Sequence, residues 1–437
     1  DQAATILRRA GYLAAVQVPP QTIENGVVHL TILAARLSAV QVRGRAGASE
    51  RQLARYLRKL EDQPLFNTRD AERYLLLANS IPGLSTRLTL RPSGTPGEVV
   101  GEVTVVRTPA YLEANVQNFG SRSVGRWGGI VRGRVNGLTG MGDDTYVGFY
   151  STSDFDEQNV LQGGHAFRIG GEGLEVGSDL TYAWTHPTIA GNIDLHSRTL
   201  VWSTRARFPF VLRQSRSFWG SAGFDWVDQS TRVGGTPFSR DKLRTVWARV
   251  DADWIDPASF SARGGYSPAE PRWSAGFTLE ARQGLGLFGA SATCPNGVCA
   301  LNGNVPISRI EADPRAFLVR ATAELFFRPV PKFTIAVLPR AQYTSAAVLG
   351  YEQFSAGNFT VGRGYDPGSI TGDSGFGTTF ELRAGSQIPR SDHEFAFQPY
   401  AFFDAAWTWN NGAANGFPDP QRLYSVGGGL RVTYGDK

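Results

Sequence analysis

Cysteine, methionine and histidine are nearly absent from this chain, at two, one and five among 437 residues. So little thiol and imidazole chemistry argues against a zinc framework or a thiol-based enzyme. No apolar run reaches the ~18 residues that a membrane helix needs, which excludes a helical membrane protein. Membrane barrels stay open, because their alternating strands vanish in hydropathy averages. Lysine is scarce too. The 44 basic residues are almost all Arg and are scattered, so the net charge of +5 forms no basic stripe and no nucleic-acid partner is expected. The chain opens at Asp1 without Met or an apolar leader, so any export signal is expected to have been removed or to lie before it.

What the chain has instead is glycine, 51 residues, about an eighth of the total against a usual ~7%. With plentiful aromatics this favours strands and turns over helices. A hydrophobic fraction of 41% is ample for a folded protein, and the length predicts two or three domains. The two cysteines stand in Cys294-Pro-Asn-Gly-Val-Cys299, where an Asn296-Gly297 turn would bring the thiols together. A local disulfide is the sharper reading and free thiols the alternative. Zinc would need two further ligands, and none lies nearby, so no metal or other cofactor is expected. A disulfide here points to an oxidising compartment.

Residues 1 to about 107 follow a grammar of their own. Ser49 and Gln52 form a capping-box pattern ahead of Leu53, Tyr56, Leu57 and Leu60, which share one helical face. Asn67 or Thr68 caps a second helix with an apolar face of Ala71, Tyr74, Leu75, Ala78 and Ile81, stopped at Pro82-Gly83. A strand at 37–42 precedes them, and strands at 85–90 and 99–106 follow as a hairpin around Pro92-Ser93-Gly94. Residues 1–33 repeat the end of that β-α-α-β-β order: a helix at 2–10 ended by Gly11, then strands at 14–18 and 27–33 around Asn25-Gly26. The pattern resembles the POTRA modules (polypeptide-transport-associated) of outer-membrane transporters, down to Ile81-Pro82-Gly83 at the end of the second helix. Residues 1–35 are then a partial first module and 36–107 a second.

From about Ala110 onward, period-two alternation takes over. Leu174, Val176, Leu180, Tyr182 and Trp184 oppose Glu175, Gly177, Asp179, Thr181 and Thr185. Likewise Phe317, Val319, Ala321, Ala323, Leu325 and Phe327 oppose Arg320, Thr322 and Glu324. Segments of ten to fifteen residues with aromatics at their ends, and a polar face of mixed charge, predict a transmembrane antiparallel β-barrel with a wet lumen. About fourteen strands can be counted between residues 108 and 437, with short turns after even strands and long loops after odd ones. Two more closing strands are expected after Lys437, making sixteen.

Between strands eleven and twelve lies Phe359-Thr-Val-Gly-Arg-Gly-Tyr-Asp-Pro-Gly368. No helix or crossover unit follows, so a dinucleotide-binding reading of its glycines fails. Arg363-Gly364-Tyr365 is similar to the V-R-G-[FY] loop signature of the POTRA-plus-barrel superfamily, with Gly362 between the usual Val and Arg. The segment 377–383, with Glu381 and Arg383 facing the lumen, resembles that family's next strand motif. Phe402-Phe403-Asp404-Ala405-Ala406 resembles its F-x-D-x-G, with Ala406 for the glycine. Alternation places Asp404 inside, since Phe403, Trp407 and Trp409 fall on the lipid face. The resemblance implies that the loop folds back into the lumen and that Arg363 pairs with Asp404.

Two tandem modules before such a barrel look most like the two-partner secretion transporters of large haemolysins and adhesins. The resemblance implies a non-enzymatic translocase in a Gram-negative outer membrane, its POTRA modules in the periplasm, carrying a secreted exoprotein in extended form. Capture is expected by strand addition at the edge formed by Ser85, Thr86, Arg87, Leu88, Thr89 and Leu90. An outer-membrane insertase is the alternative, and a passive porin a weaker one. Five His and scattered Ser give no triad spacing, and Asp179, Asp251, Asp253 and Glu324 read as lumen solvation.

Overall fold

The structure is a computed structural model, and it describes residues 2–435 except 23–26, 189–190, 192, 262, 302–303, 359 and 413–418. At the amino terminus α1 (Gln2–Arg9) leads to a two-stranded ribbon of β1 (Ala14–Gln17) and β2 (Thr31–Ala34). The second strand starts later than the alternation predicts. The Gln21 side chain takes both main-chain groups of His29, accepting from its N–H at 2.6 Å and donating to its carbonyl at 2.8 Å. A side chain thus stands where a strand partner would, and the Asn25-Gly26 turn lies outside the described residues.

The second module is β3 (Arg36–Arg43), α2 (Glu50–Glu61), α3 (Thr68–Asn79), β4 (Leu84–Pro92) and β5 (Glu98–Arg107). Its sheet runs β3-β5-β4, with β5 central, parallel to β3 and antiparallel to β4. Leu53, Tyr56, Leu57 and Leu60 from α2 and Ala71, Leu77 and Ala78 from α3 bury against Leu37, Val103 and Val105. Asn67 caps α3 by accepting from the Arg69 N–H at 2.9 Å. The capping box on α2 does not form. Ser49 ends a 3₁₀ turn (Gly47–Ser49) with helical dihedrals, and Gln52 is spent elsewhere.

The barrel sheet comprises β6 (Ala110–Gln117), β7 (Gly128–Asn136), β8 (Asp144–Thr152), β9 (Gln158–Ile169), β10 (Leu174–Thr185), β11 (Leu195–Arg213) and β12 (Arg216–Val233), then β13 (Thr236–Ile255), β14 (Trp273–Gly284), β15 (Phe317–Val330) and β16 (Phe333–Thr344). A small hairpin of β17 (Phe354–Ala356) and β18 (Ile370–Gly372) interrupts it before β19 (Ser374–Ala384), β20 (Phe395–Trp409) and β21 (Gln421–Tyr434). Fourteen antiparallel strands pair in chain order from β6 to β21, in agreement with the count from alternation. Exposed Trp202, Phe277, Leu325, Phe380 and Phe403 form the lipid face, with Trp254 and Trp273 near one end and Tyr343 and Trp409 near the other. No described helix is long and apolar enough to cross a membrane.

Loop lengths follow strand parity less strictly than the sequence suggests. The outer turn between β12 and β13 is only Gly234-Gly235, whereas the opposite connection at 256–272 is long and partly 3₁₀. Central strands of 18 to 20 residues exceed the ~9–11 that a tilted strand needs to cross. Their surplus projects from the membrane, so a two-residue turn suffices at the tip.

Candidate functional site: a charged latch in the lumen and a short free edge

Two glycines give the segment after β16 its path back into the barrel. Gly362 and Gly364 adopt φ of +103° and +93°, a region that L side chains rarely enter. A Cβ on Gly362 would sit 2.2 Å from Leu423 Cδ2, so any side chain there would have to displace this buried leucine as well as strain the backbone. The neighbouring Val361 is buried with Phe354, Ala356, Ala406 and Leu423. Ala406 is fully enclosed in this cluster, so a methyl at the glycine position of the F-x-D-x-G pattern fits without displacing the loop.

This path delivers Arg363 to Asp404. The guanidinium meets the carboxylate at two points, Nη2 to Oδ1 at 2.8 Å and Nε to Oδ2 at 3.1 Å. Oδ2 also accepts the N–H groups of Arg363 at 2.9 Å and Gly362 at 3.2 Å, and the Ser425 hydroxyl at 3.3 Å. Asp404 is wholly buried, yet its charge is matched by a fork-to-fork contact and main-chain donors. Gly362, an insertion by sequence, supplies one of those donors.

Arg363 reaches Glu381 with its remaining nitrogen, and Glu381 in turn accepts from Arg383 Nε at 2.6 Å and Arg431 Nη2 at 3.0 Å. The Arg363 guanidinium lies 3.6 Å from the centre of the Phe402 ring, and that of Arg431 lies 4.1 Å from that of Tyr400. All four residues singled out from sequence as the lumen group are therefore together: Arg363, Asp404, Glu381 and Arg383. Gly364 faces open space and Tyr365 is exposed, so neither belongs to the charged cluster. Phe359 lies outside the described residues.

Sequence reading missed two further clamps on the same segment. Glu352, buried just before β17, bonds Arg282 at 3.0 Å and Arg320 at 2.6 Å, and Arg282 also holds Asp225 at 2.8 Å. Asp373, completely buried after β18, takes Arg309, the Val348 N–H at 2.9 Å and the Asn411 N–H at 2.8 Å. At the tip Asn358 Nδ2 donates to the Phe119 carbonyl at 2.6 Å, and Asp366 approaches Arg126. Lumen parity of Arg282 and Arg320 was the available signal for the first clamp, and Arg309 lies outside any strand. Cys294 and Cys299 are joined, and Cys294 buries with Val227, Leu243, Ile307 and Leu349, so the loop after β14 also bends inward.

The second module docks on three consecutive barrel turns. Gln52 Nε2 donates to the Gly170 carbonyl at 2.8 Å, Lys59 meets Glu172 at 2.9 Å, and Glu72 accepts the Gln214 N–H at 2.7 Å. Buried Arg168 at the end of β9 ties the Gly142 carbonyl at 2.6 Å to the Ser80 carbonyl at the end of α3 at 2.5 Å. Gly173, at φ +90°, leaves room for Leu77. In the first of these turns, burial raises the pKa of Asp143. Hydrogen bonds from the Thr139 hydroxyl (2.6 Å), the Thr139 N–H (2.9 Å) and the Leu138 N–H (2.8 Å) outweigh it and hold the carboxyl below the usual aspartate range.

The edge named from sequence lies on β4, which among the described residues pairs only with β5. The ladder's flanking bonds, Thr108 N–H to Gly83 and Ser93 N–H to Glu98, set the alternation. Ser85, Arg87 and Thr89 turn their main-chain groups to β5, and Thr86, Leu88 and Leu90 turn theirs outward. Asn79 already occupies Thr86, accepting its N–H at 2.5 Å and donating to its carbonyl at 3.1 Å. The free edge is therefore shorter than the six residues 85–90: it consists of the outward groups of Leu88 and Leu90.

Residues 256–432, which include the whole latch, match the family model of the haemolysin secretion/activation proteins ShlB/FhaC/HecB. That match covers less than half of the chain, and over it the sequence is similar to the transporters of two-partner secretion. The heme/hemopexin transporter protein HuxB of Haemophilus influenzae strain 86-028NP is 26% identical over 200 residues, which is 42% of this chain and 33% of that protein. The chain thus spans about a third of the length of that curated relative. The structure of CdiB from Escherichia coli overlays 99% of this chain and 76% of its own at a TM-score of 0.76 and 16% identity. BamA from Haemophilus ducreyi lacking POTRA domains 1–3 overlays 99% of this chain and 86% of its own at 0.56 and 14%. Both structures share the fold. The location follows: a Gram-negative outer membrane, with the POTRA modules in the periplasm and the β12–β13 turn on the outside.

Proposed function

We propose that the chain is a non-enzymatic protein translocase that takes a secreted exoprotein from the periplasm and passes it through its barrel. The observation that carries this reading is the latch. A segment of the chain folds back into the lumen, held by ion pairs and one small apolar cluster around Val361 rather than by an extended apolar core, so it can be released without unfolding the barrel. A passive porin leaves both the latch and the docked module without a task.

The cargo is a large haemolysin or adhesin in extended form. Four outward main-chain groups on Leu88 and Leu90 offer a short antiparallel register to such a chain, and the exposed Arg87 and Thr89 side chains flank it. Outer-membrane lipid surrounds the apolar face, and no nucleic acid, metal or organic cofactor enters the mechanism. With no nucleotide to drive transport, folding of the cargo outside the cell supplies the direction.

A photo-crosslinking residue at Arg87 or Thr89 tests this account. During export of a stalled cognate exoprotein it should give an adduct with the cargo, whereas the same probe at exposed Arg51 on α2 should not. Equal labelling at the three positions would refute edge capture.

A further inference from the structure

At the outer rim, the ladder between β10 and β11 pairs Thr185 with Ser197, so the same register sets His186 opposite His196. Asp194 lies two residues before His196 and therefore on the same face. The result is compact. The imidazole rings stack with centroids 4.0 Å apart, and Asp194 Oδ1 lies 3.2 Å from His186 Nε2 and 2.8 Å from His196 Nε2. One donor atom from each residue falls within 4.8 Å of the other two.

The sheet fixes the backbone under all three. The His186 N–H donates to the Glu157 carbonyl at 2.7 Å, the Asp194 carbonyl accepts the Gly234 N–H at 2.8 Å, and His196 lies within β11. His186 follows the 12 residues of β10, more than the ~9–11 that cross a membrane, so the trio stands clear of the hydrocarbon on the outer side. Each side chain is 41–49% exposed, and the latch makes no use of them.

We propose that His186, Asp194 and His196 form a surface site for a divalent transition-metal ion of the zinc class. Two imidazoles and one carboxylate suit zinc and its neighbours, and disfavour calcium and magnesium, which prefer all-oxygen sets. Ligand atoms about 2.0–2.2 Å from one ion lie roughly 3.3 Å apart in a tetrahedron, near the 3.2 Å from Asp194 to His186, and binding would open the 2.8 Å contact to His196 and turn the stacked rings toward the ion. Solvent reaches the remaining coordination positions. The ion would brace the outer ends of β10 and β11. Arg232, opposite His196 on β12, is a like charge beside the site and lowers its affinity.

The test uses the tag-free, detergent-solubilised full chain with Zn²⁺ in titration calorimetry and Co²⁺ in absorption spectroscopy. One equivalent of Zn²⁺ should bind, and Co²⁺ should show the d–d bands of a low-coordinate site. His186→Ala and His196→Ala should each weaken binding by roughly tenfold or more, and Asp194→Asn should weaken it too, while His29→Ala and His393→Ala change nothing. Zn²⁺ should also raise the temperature of heat-modified migration in the wild type but not in His196→Ala, which keeps the comparison valid if a variant starts less stable. Absence of stoichiometric binding, or binding that survives both rim histidine substitutions, would show the trio to be a hydrogen-bonded cluster only.

Discussion

Arg363 and Asp404 act as one unit because neither has an equivalent partner if the other is lost. Removing one side of a buried pair can cost about 3–5 kcal/mol, but Arg363 is about a quarter exposed (26%) to a wet lumen, which reduces that figure. Glu381 and the Phe402 face remain for Arg363, so the segment should loosen while the barrel stays folded. Arg363→Ala and Asp404→Ala should each impair secretion, and the double variant should be no worse than the worse single. Reversing both charges should recover part of what either reversal loses; additive losses without rescue would mean that the pair does not act as a unit. Asp143 tests a different part of the chain. Its folded pKa is depressed, so its stabilising contribution is complete above the unfolded value near ~3.9 and is lost as pH falls through the lower folded value. Asp143→Asn should therefore lower the unfolding temperature by a constant amount from neutral pH to about 4, and the gap to wild type should close below that. A gap independent of pH would exclude the carboxylate as the cause.

At the scale of elements, the loop after β14 is a self-contained feature. The Cys294–Cys299 ring closes over few residues, worth only ~2 kcal/mol in the entropy model, and its apolar contacts with Val227 and Leu243 remain without it. The double Ser variant should assemble a barrel of normal heat-modifiability with a more protease-sensitive loop; failure to assemble would make the disulfide a folding element. The strands themselves were legible because period two separates Phe403 from Asp404 and Leu325 from Glu324 without knowledge of any partner. The Arg363–Asp404 pairing came from motif resemblance, and the geometry agrees with it. Glu352 and Asp373 were not legible: they lie in irregular backbone, and their partners Arg282 and Arg309 stand 70 and 64 residues away. Gln52 misled for a related reason, since a capping pattern describes only local competition, while a carbonyl 118 residues distant took its amide. Asn79 shortened the β4 edge in the same way, by a contact that no strand pattern can register.

The whole molecule joins its second amino-terminal module to the latched barrel through turns rather than through strands. Gln52, Glu72 and Arg168 connect the second module to barrel turns, and no strand of one sheet pairs with the other among the described residues. The barrel's alternation and lumen clamps require nothing from residues 1–107, so pore formation and cargo capture should separate genetically. The most direct measurement is export of the cognate exoprotein's amino-terminal part into the medium, comparing the full chain with a variant lacking residues 1–107, with barrel insertion checked by heat-modifiable migration. The account predicts an inserted barrel and no export from the truncated chain. Normal export yield from that inserted, truncated barrel would contradict it.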